Sequence, residues 1–377
     1  MKIAALVSGG VDSSVALRLL QQEGHDITAF YLKVWLEDEL DFLGHCPWEE
    51  DLEFVRAVCD QAGVPLEVIA LQHDYRERIV SYTIEEIRRG YTPNPDVMCN
   101  NRIKFGAFFE AIGNDFDRIA TGHYARTAPD PEGSGQVHLL RAPDPVKDQT
   151  YFLAHLYQDQ VARALFPIGA YQKAEVRELA RKFDLPNQAR KDSQGLCFLG
   201  KISFADFIKY HLGSQTGDIV EYETGQKLGE HDGFWFHTIG QRKGLRLSGG
   251  PWYVVAKDTD ANVVFISRNY FSREKARNAF SISRTSWISG RPPETESARR
   301  LQVKVRHGEK LYDCSLQKTG EDTYSVTLDE RDQGIAPGQF AVFYDGERCL
   351  GCGAIEEETI DSQVPAPTPA VESGAPR

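Results

Sequence analysis

"LVSGGVDSSVAL", residues 6–17, sets two glycines, an aspartate and three serines between a strand-like run and a helix-like one. Upstream, "KIAALV" at 2–7 reads as a short buried strand. Downstream, Val11, Val15 and Leu19 recur at i, i+4 and i+8 on one face of a helix that Gly24 closes. A glycine pair lets backbone approach an anion closely, and a helix opening behind it offers free N–H groups and a positive dipole end. Ser8, Ser13 and Ser14 add hydroxyl donors. The ending GK[ST] of a Walker A loop is missing, and its lysine with it. Asp12 would repel a bare phosphate, so it is expected to hold a Mg²⁺ on a pyrophosphate or to cap the helix. A phosphate-holding loop is preferred over a plain glycine turn.

Outward from the loop, "DITAFYLKV" and "PLEVIAL" read as strands, with the helical "EEDLEFVRAVCDQAG" between them and "DYRERIVSYTIEEIRRG" after them. Strands alternating with helices imply right-handed crossovers and a mostly parallel sheet. "DRIATGHYA" adds a strand whose carboxyl end lies at Thr121 to His123, and ligands sit at such ends. The fold class expected is therefore α/β: a doubly wound, mostly parallel, Rossmann-like sheet. Past residue 212 the texture becomes Gly-rich with short β-prone runs, and from about 273 strands alternate with turns such as Asp345-Gly346. The expected units are 1–212, a small central domain at 213–272 and a C-terminal β-barrel at 273–356. The tail 357–377, rich in Pro, Ala and acids and without aromatics, is expected to be disordered.

At 377 residues and 41% hydrophobic content, each unit can have a core. No signal-peptide pattern opens the chain and no long apolar run occurs, so the expected site is the cytoplasm or an organelle, with no membrane partner. Seven scattered cysteines fit reduced thiols better than a disulfide framework. The net charge of −12 argues against nucleic acid only superficially. Between Arg273 and Lys310 ten Lys or Arg stand against four Glu, which leaves room for a local basic face including Lys304.

"SGGVDSS" resembles the PP-loop of N-type ATP pyrophosphatases, which adenylate an oxygen and release pyrophosphate. "NPDVMCNNRIKFG" at 94–106, "TGHYAR" at 121–126, "KDQTYFL" at 147–153, "FPIG" at 166–169, "DSQGLCFLG" at 192–200 and "GQRKGL" at 240–245 follow in order. Together these motifs resemble the tRNA-specific 2-thiouridylases over residues 3 to about 355. The resemblance implies ATP with Mg²⁺, a PP-loop domain followed by a central domain and a β-barrel, and transfer of sulfur to C2 of the wobble uridine in tRNAs for Lys, Glu and Gln. It also implies a persulfide sulfur-donor protein as partner. Uracil O2 is a poor leaving group, so the chemistry needs it adenylated, with the Gly-rich loop stabilising departing pyrophosphate.

By resemblance, nucleotide contacts fall on Leu6, Val7, Ser8, Gly9, Gly10, Val11, Asp12 and Ser13, with Leu32 and Gly122 at neighbouring strand ends. Cys197 carries the persulfide, Cys99 is the partner nucleophile able to form a disulfide with it, and Asp96 handles a proton. Both cysteines are expected in polar loops, not on a helix face; the plain alternative for each is a buried thiol. tRNA contacts are expected at Asn94, Pro95 and Asp96, at Lys147, Asp148 and Gln149, and at Arg306 and His307. Cys59 and Cys314 read as core, Cys46 as a loop residue, and the CxxC at Cys349 and Cys352 has no assigned role because structural zinc needs a second pair. An ammonia-using PP-loop ligase and a noncatalytic tRNA binder on the same fold remain open alternatives.

Overall fold

The computed structural model describes residues 1–34, 48–191, 203–270, 277–294 and 297–356. The expectations for Cys46, Cys197 and the tail fall outside these residues. Strands β1 (Lys2–Leu6), β2 (Asp26–Lys33), β3 (Leu66–Ala70) and β4 (Arg118–Ala120) are followed by a hairpin, β5 (Ala125–Pro129) and β6 (Val137–Arg141), and by the short β7 (Ala164–Leu165). One sheet has the order β3-β2-β1-β4-β7, with every neighbouring pair parallel. Strand alternation in β1 sends Ile3 and Ala5 to one face and Ala4 to the other, and both faces are covered.

The first face packs against α1 (Val11–Gln22), α2 (Trp48–Ala62) and, further along the chain, α7 (Lys173–Lys182), through residues such as Val15, Val55 and Val176. On the other face lie two long helical runs. The first, α3, passes through Gln72–Tyr75, Arg76–Val80 and Ser81–Arg88. The second, α4, passes through Pro95–Cys99, Asn100–Ala107 and Phe108–Ile112. Their middle pieces are π-wound, a form often met at functional sites. Short helices α5 (Thr150–Leu153) and α6 (Gln158–Arg163) complete this layer, and α8 (Phe204–Leu212) leads into the central sheet.

The central sheet, β8 (Gly217–Glu221), β9 (Lys227–His231), β10 (Tyr253–Asp258) and β11 (Val263–Ser267), has the order β10-β11-β8-β9. The last six strands are β12 (Arg277–Trp287), β13 (Arg299–Lys304), β14 (Tyr312–Lys318), β15 (Tyr324–Asp332), β16 (Phe340–Asp345) and β17 (Arg348–Ile355). They are antiparallel throughout and close on themselves, because β12 pairs with both β15 and β17. Ile282, Val303, Leu316, Val326, Phe343 and Ile355 fill the interior. The architecture is thus α/β with a parallel N-terminal sheet, a central module and a C-terminal β-barrel.

One connection departs from the simple succession of units. β6 pairs with β17 at Leu140–Arg348 and Leu139–Cys349, so the early hairpin extends the barrel sheet. A buried charge pair crosses the same seam: Lys304 Nζ donates to Asp148 Oδ2 at 2.9 Å, both side chains being fully buried. Arg141 Nε faces that oxygen at 3.4 Å, while Asp148 Oδ1 accepts from Thr150 Oγ1 at 2.8 Å and from the Ala142 and Thr150 amides. Asp148 therefore anchors the barrel from within and is not placed to touch RNA. Lys304, expected on the basic face, is its internal counter-ion.

Candidate active site

The loop after β1 has the geometry its glycines require. Gly9 sits at φ +76°, and a Cβ there would lie 2.7 Å from the Asp51 carbonyl oxygen. Gly10 is the residue before α1, with no side-chain cap, so the first N–H groups of the helix face the loop unsatisfied by a capping side chain. Ser13 Oγ donates to the Gly10 carbonyl at 3.1 Å and accepts from the Ser8 amide at 3.2 Å, which folds the loop back on the helix. Gly122, at the end of β4, abuts this turn: a Cβ would be 2.6 Å from the Ser13 nitrogen. Val7 and Val11 join the core on the α1 face of the sheet, and Leu6 and Leu32 pack on the opposite face.

Charges from distant segments converge here. Lys173 Nζ, at the start of α7, donates to both Asp12 oxygens at 2.7 and 2.9 Å, and the Tyr124 hydroxyl donates to Asp12 at 3.1 Å. Arg190 pairs with Asp51 and donates to the Gly9 carbonyl at 3.1 Å. Asn187, buried, donates to the same carbonyl at 2.8 Å and to Ser14 Oγ at 2.9 Å, while its own Oδ1 has no partner among the described residues. Sequence reading missed Lys173, Asn187 and Arg190, because "QKAEVRELARKFDLPNQAR" looks like an ordinary amphipathic helix and its exit. Asp12 does not cap α1; its carboxylate points to Lys173 and Tyr124. It offers the one acidic group of the loop to a cation, in keeping with Mg²⁺ held by one carboxylate plus substrate phosphates.

Asn94, Pro95 and Asp96 open α4. Asn94 Oδ1 accepts the Val97 amide at 3.3 Å and Pro95 stands in the first turn. Cys99 closes the first piece of that helix and is buried. The expected loop cysteine is thus a helical one, since capping by Asn94 and apolar Val97, Met98 and Ile103 against the core turn a polar-looking segment into a helix. Burial raises the Asp96 carboxyl above the usual carboxylate range, against the opposing pull of Lys104. Burial, aided by the same lysine, keeps His123 neutral, and its Nδ1 shares a 2.7 Å hydrogen bond with Thr121 Oγ1. Asp96 and His123 thus share the field of Lys104, and His123 follows Gly122 directly in the chain.

Further along, His307 of the barrel reaches the α5 helix across the seam. His307 packs on Phe152 at 4.5 Å, and burial, then the charge of Lys304, lowers its pKa, with Lys147 acting in the same direction. Gln149 accepts the Tyr124 amide at 2.9 Å. Arg306 is half-exposed and makes a two-bond pair with Asp332 at 2.8 and 2.6 Å. It lines a groove of about 650 Å³ where the barrel meets Thr238–Gly240 of the central module, with Lys310 and Arg331 on the barrel side. Thr92 and Gln339 form the groove's end nearest α4. Gln339 Nε2 donates to the Thr92 and Pro93 carbonyls, and its Oε1 accepts from Asn94 Nδ2 at 3.3 Å, so a barrel residue holds the segment before Asp96.

Cys59, Cys314, Cys349 and Cys352 are buried. Burial pushes Cys59 up to about 11 and Cys314 up to about 12, and it raises Cys349 and Cys352 further still. No group of three or more His, Cys, Asp or Glu fit for a metal occurs among the described residues, and no described helix is long and apolar enough to cross a membrane.

Comparison with known proteins agrees with this three-part build. Family models described as "tRNA methyl transferase HUP domain", "tRNA methyl transferase PRC-barrel domain" and "Aminomethyltransferase beta-barrel domain" match residues 1–201, 205–268 and 277–355. A Parabacteroides distasonis protein named tRNA-specific 2-thiouridylase MnmA is 48% identical over 362 residues, 95% of this chain and 100% of that one. The chain belongs to the tRNA-specific 2-thiouridylase family. A second thiouridylase, from Porphyromonas gingivalis, is also 48% identical over 94% of this chain and 99% of its own length. One from Bacteroides thetaiotaomicron is 45% identical over 94% and 99%. As a member of this ATP-using thiouridylase family the chain is an enzyme, and its HUP domain is the nucleotide-binding part.

Proposed function

We propose that the enzyme uses ATP and Mg²⁺ to replace O2 of the wobble uridine with sulfur in tRNAs for Lys, Glu and Gln. The observation that carries this reading is the junction at Gly122–His123. Gly122 touches the phosphate loop at Ser13, and His123 shares the field of Lys104 with Asp96, so nucleotide and base would meet at one point. Lys173, Arg190 and the opening of α1 would take the phosphates, with Asp12 supplying the Mg²⁺ ligand. Asn94, Pro95 and Asp96 would hold an extruded uracil, and the groove past Gln339 to Lys147, Arg306 and His307 would receive its neighbours.

In the first step uracil O2 attacks the α-phosphorus and pyrophosphate leaves. The terminal sulfur of a Cys197 persulfide then attacks C2, and AMP departs with the original oxygen. Cys99 thiolate attacks the Cys197 sulfur, which forms a Cys99–Cys197 disulfide and releases the thiocarbonyl; a thiol reductant must reopen the disulfide before the next turnover. A persulfide-bearing donor protein reloads Cys197. We divide the chain accordingly into a catalytic unit at 1–212, a central unit at 213–272 and a barrel at 273–356. A cytoplasmic setting suits thiols that must be reduced in each cycle.

The test is mass spectrometry of the wobble nucleoside after incubation with ATP, a persulfide donor and tRNA. Cys99→Ser should accept labelled sulfur and retain it, whereas Cys197→Ser should activate the uridine yet accept none. Persulfide trapped on Cys99 alone would reverse the two roles, and full ATP-dependent activity retained in Cys197→Ser would favour an ammonia-type ligase.

A further inference from the structure

The barrel has two ends. β13 finishes and β16 begins at the end that carries the groove beside Asn94. At the other end, β12 finishes, β13 begins and the β16–β17 turn closes. A second cavity opens there, of about 140 Å³, where that end meets the β5–β6 hairpin. Arg291, Arg299 and Arg348 line it, against one acid, Asp345, which pairs with Arg299 at 2.9 Å. Among the described residues the guanidinium groups of Arg291 and Arg348 have no hydrogen-bond or ion-pair partner. His138, with only a tenth of its side chain exposed, also lines the cavity, and its Nε2 lies 3.4 Å from Asp130, beyond good hydrogen-bond geometry. Pro292 and Pro293 stiffen the rim, and the Ser289 hydroxyl donates to the Arg291 carbonyl at 2.8 Å, which fixes the turn that carries the arginine.

Two unpaired guanidinium groups around a small concavity form an anion trap. At ~30 Å³ per water the cavity holds roughly five waters, room for one tetrahedral phosphoryl group. Guanidinium forks match phosphate oxygens with two parallel hydrogen bonds each.

We propose that this cavity is a second phosphoryl-binding site, distinct from the nucleotide loop, that seats a backbone phosphate of the RNA substrate. Arg299 opens β13 here and Arg306 lies just past its other end at the groove, seven residues on, so the two stand at most about 23 Å apart at ~3.3 Å per residue. Two basic sites at opposite ends of one strand fix the orientation of a long polyanion that a single contact would leave free to swing. The RNA assignment rests on the thiouridylase reading; the phosphoryl chemistry does not.

The experiment uses the full chain with Arg291→Gln, Arg348→Gln and the charge-conserving Arg348→Lys. Unmodified tRNA is titrated at several salt concentrations, and inorganic phosphate is titrated separately by calorimetry. Each glutamine variant should weaken tRNA binding roughly tenfold at low salt and reduce the log–log salt slope by about 0.7–0.9, with Arg348→Lys restoring most of the slope. Pyrophosphate release at saturating tRNA should stay unchanged. If the variants lose phosphate binding while the tRNA slope is unaltered, the site stands and its ligand is a free phosphate. If neither tRNA slope nor phosphate binding changes, the proposal is overturned. A changed slope without 2-thiouridine formation by the wild-type chain would sink the proposed reaction and leave this site in place.

Discussion

Replacing Asp148 by alanine leaves the Lys304 ammonium in the seam between barrel and hairpin without its counter-ion. Both groups are fully buried and 2.9 Å apart. The same change removes the acceptor of the Thr150 hydroxyl and of the Ala142 and Thr150 amides. Breaking a buried pair from one side costs about 3–5 kcal/mol, because an uncompensated charge remains. Lys304→Met should cost less, on the order of 1–3 kcal/mol, since Arg141 and three hydrogen-bond donors still face Asp148. Urea unfolding followed by barrel tryptophan fluorescence reads the difference as a shift in midpoint, with Trp287 as reporter. Alongside it, tRNA affinity measured below the unfolding transition should change little in either variant. A loss under 1 kcal/mol for Asp148→Ala, together with a tenfold weaker tRNA complex, would show that this carboxylate contacts RNA and that its buried position has been misjudged.

Gly122→Ala should abolish ATP turnover, by 100-fold or more, while tRNA still binds, because the new methyl meets backbone at Ser13 that cannot yield without moving α1; near-normal pyrophosphate release would refute the close packing. Asp12→Ala should likewise stop pyrophosphate release and spare tRNA binding, and an unchanged rate would remove Asp12 from the mechanism. The Asp96 carboxyl is raised in the folded chain, so its ionised form is disfavoured there: it contributes nothing to stability below its unfolded pKa and an unfavourable increment above its folded one. Asp96→Asn should accordingly stabilise the chain at pH 7 and leave it unchanged near pH 3, as measured by denaturant midpoints. Lys104→Met removes the group that opposes this shift, so the acid limb of the thiolation pH profile should move to higher pH, and a limb that stays put would mean that Asp96 does not set it.

The sheet and its ligand loop were legible because they are local: strand, glycines, hydroxyls and helix follow one another within Lys2 to Gln22, and alternation with later helices fixes a parallel order. The start of α4 was misread for a local reason too. Asn and Pro mark turns and helix beginnings alike, and only the packing of Val97, Met98 and Ile103 decides between them. What stayed hidden lies far apart in sequence. Lys173 reaches Asp12 across 161 positions, Arg190 reaches Gly9 across 181, and Gln339 reaches Thr92 across 247. Charged residues on an amphipathic helix look alike from sequence whether they meet water or a phosphate loop. Lys304 shows the converse, since a basic residue in a basic stretch was taken for surface when its strand turned it inward to Asp148.

The pairing of β6 with β17 has a consequence for how such an enzyme can change over generations. A chain that lost the barrel would bare a strand edge in its catalytic half and strand Asp148 beside Arg141 alone; one that acquired a foreign barrel would inherit neither a matching edge nor a lysine at the right register. Gene fusion or module shuffling at this seam would thus be punished in the folded product from the first generation. The three parts are consequently expected to descend together, and variation to collect in the central module and the outer loops, where no strand of one part completes a sheet of another.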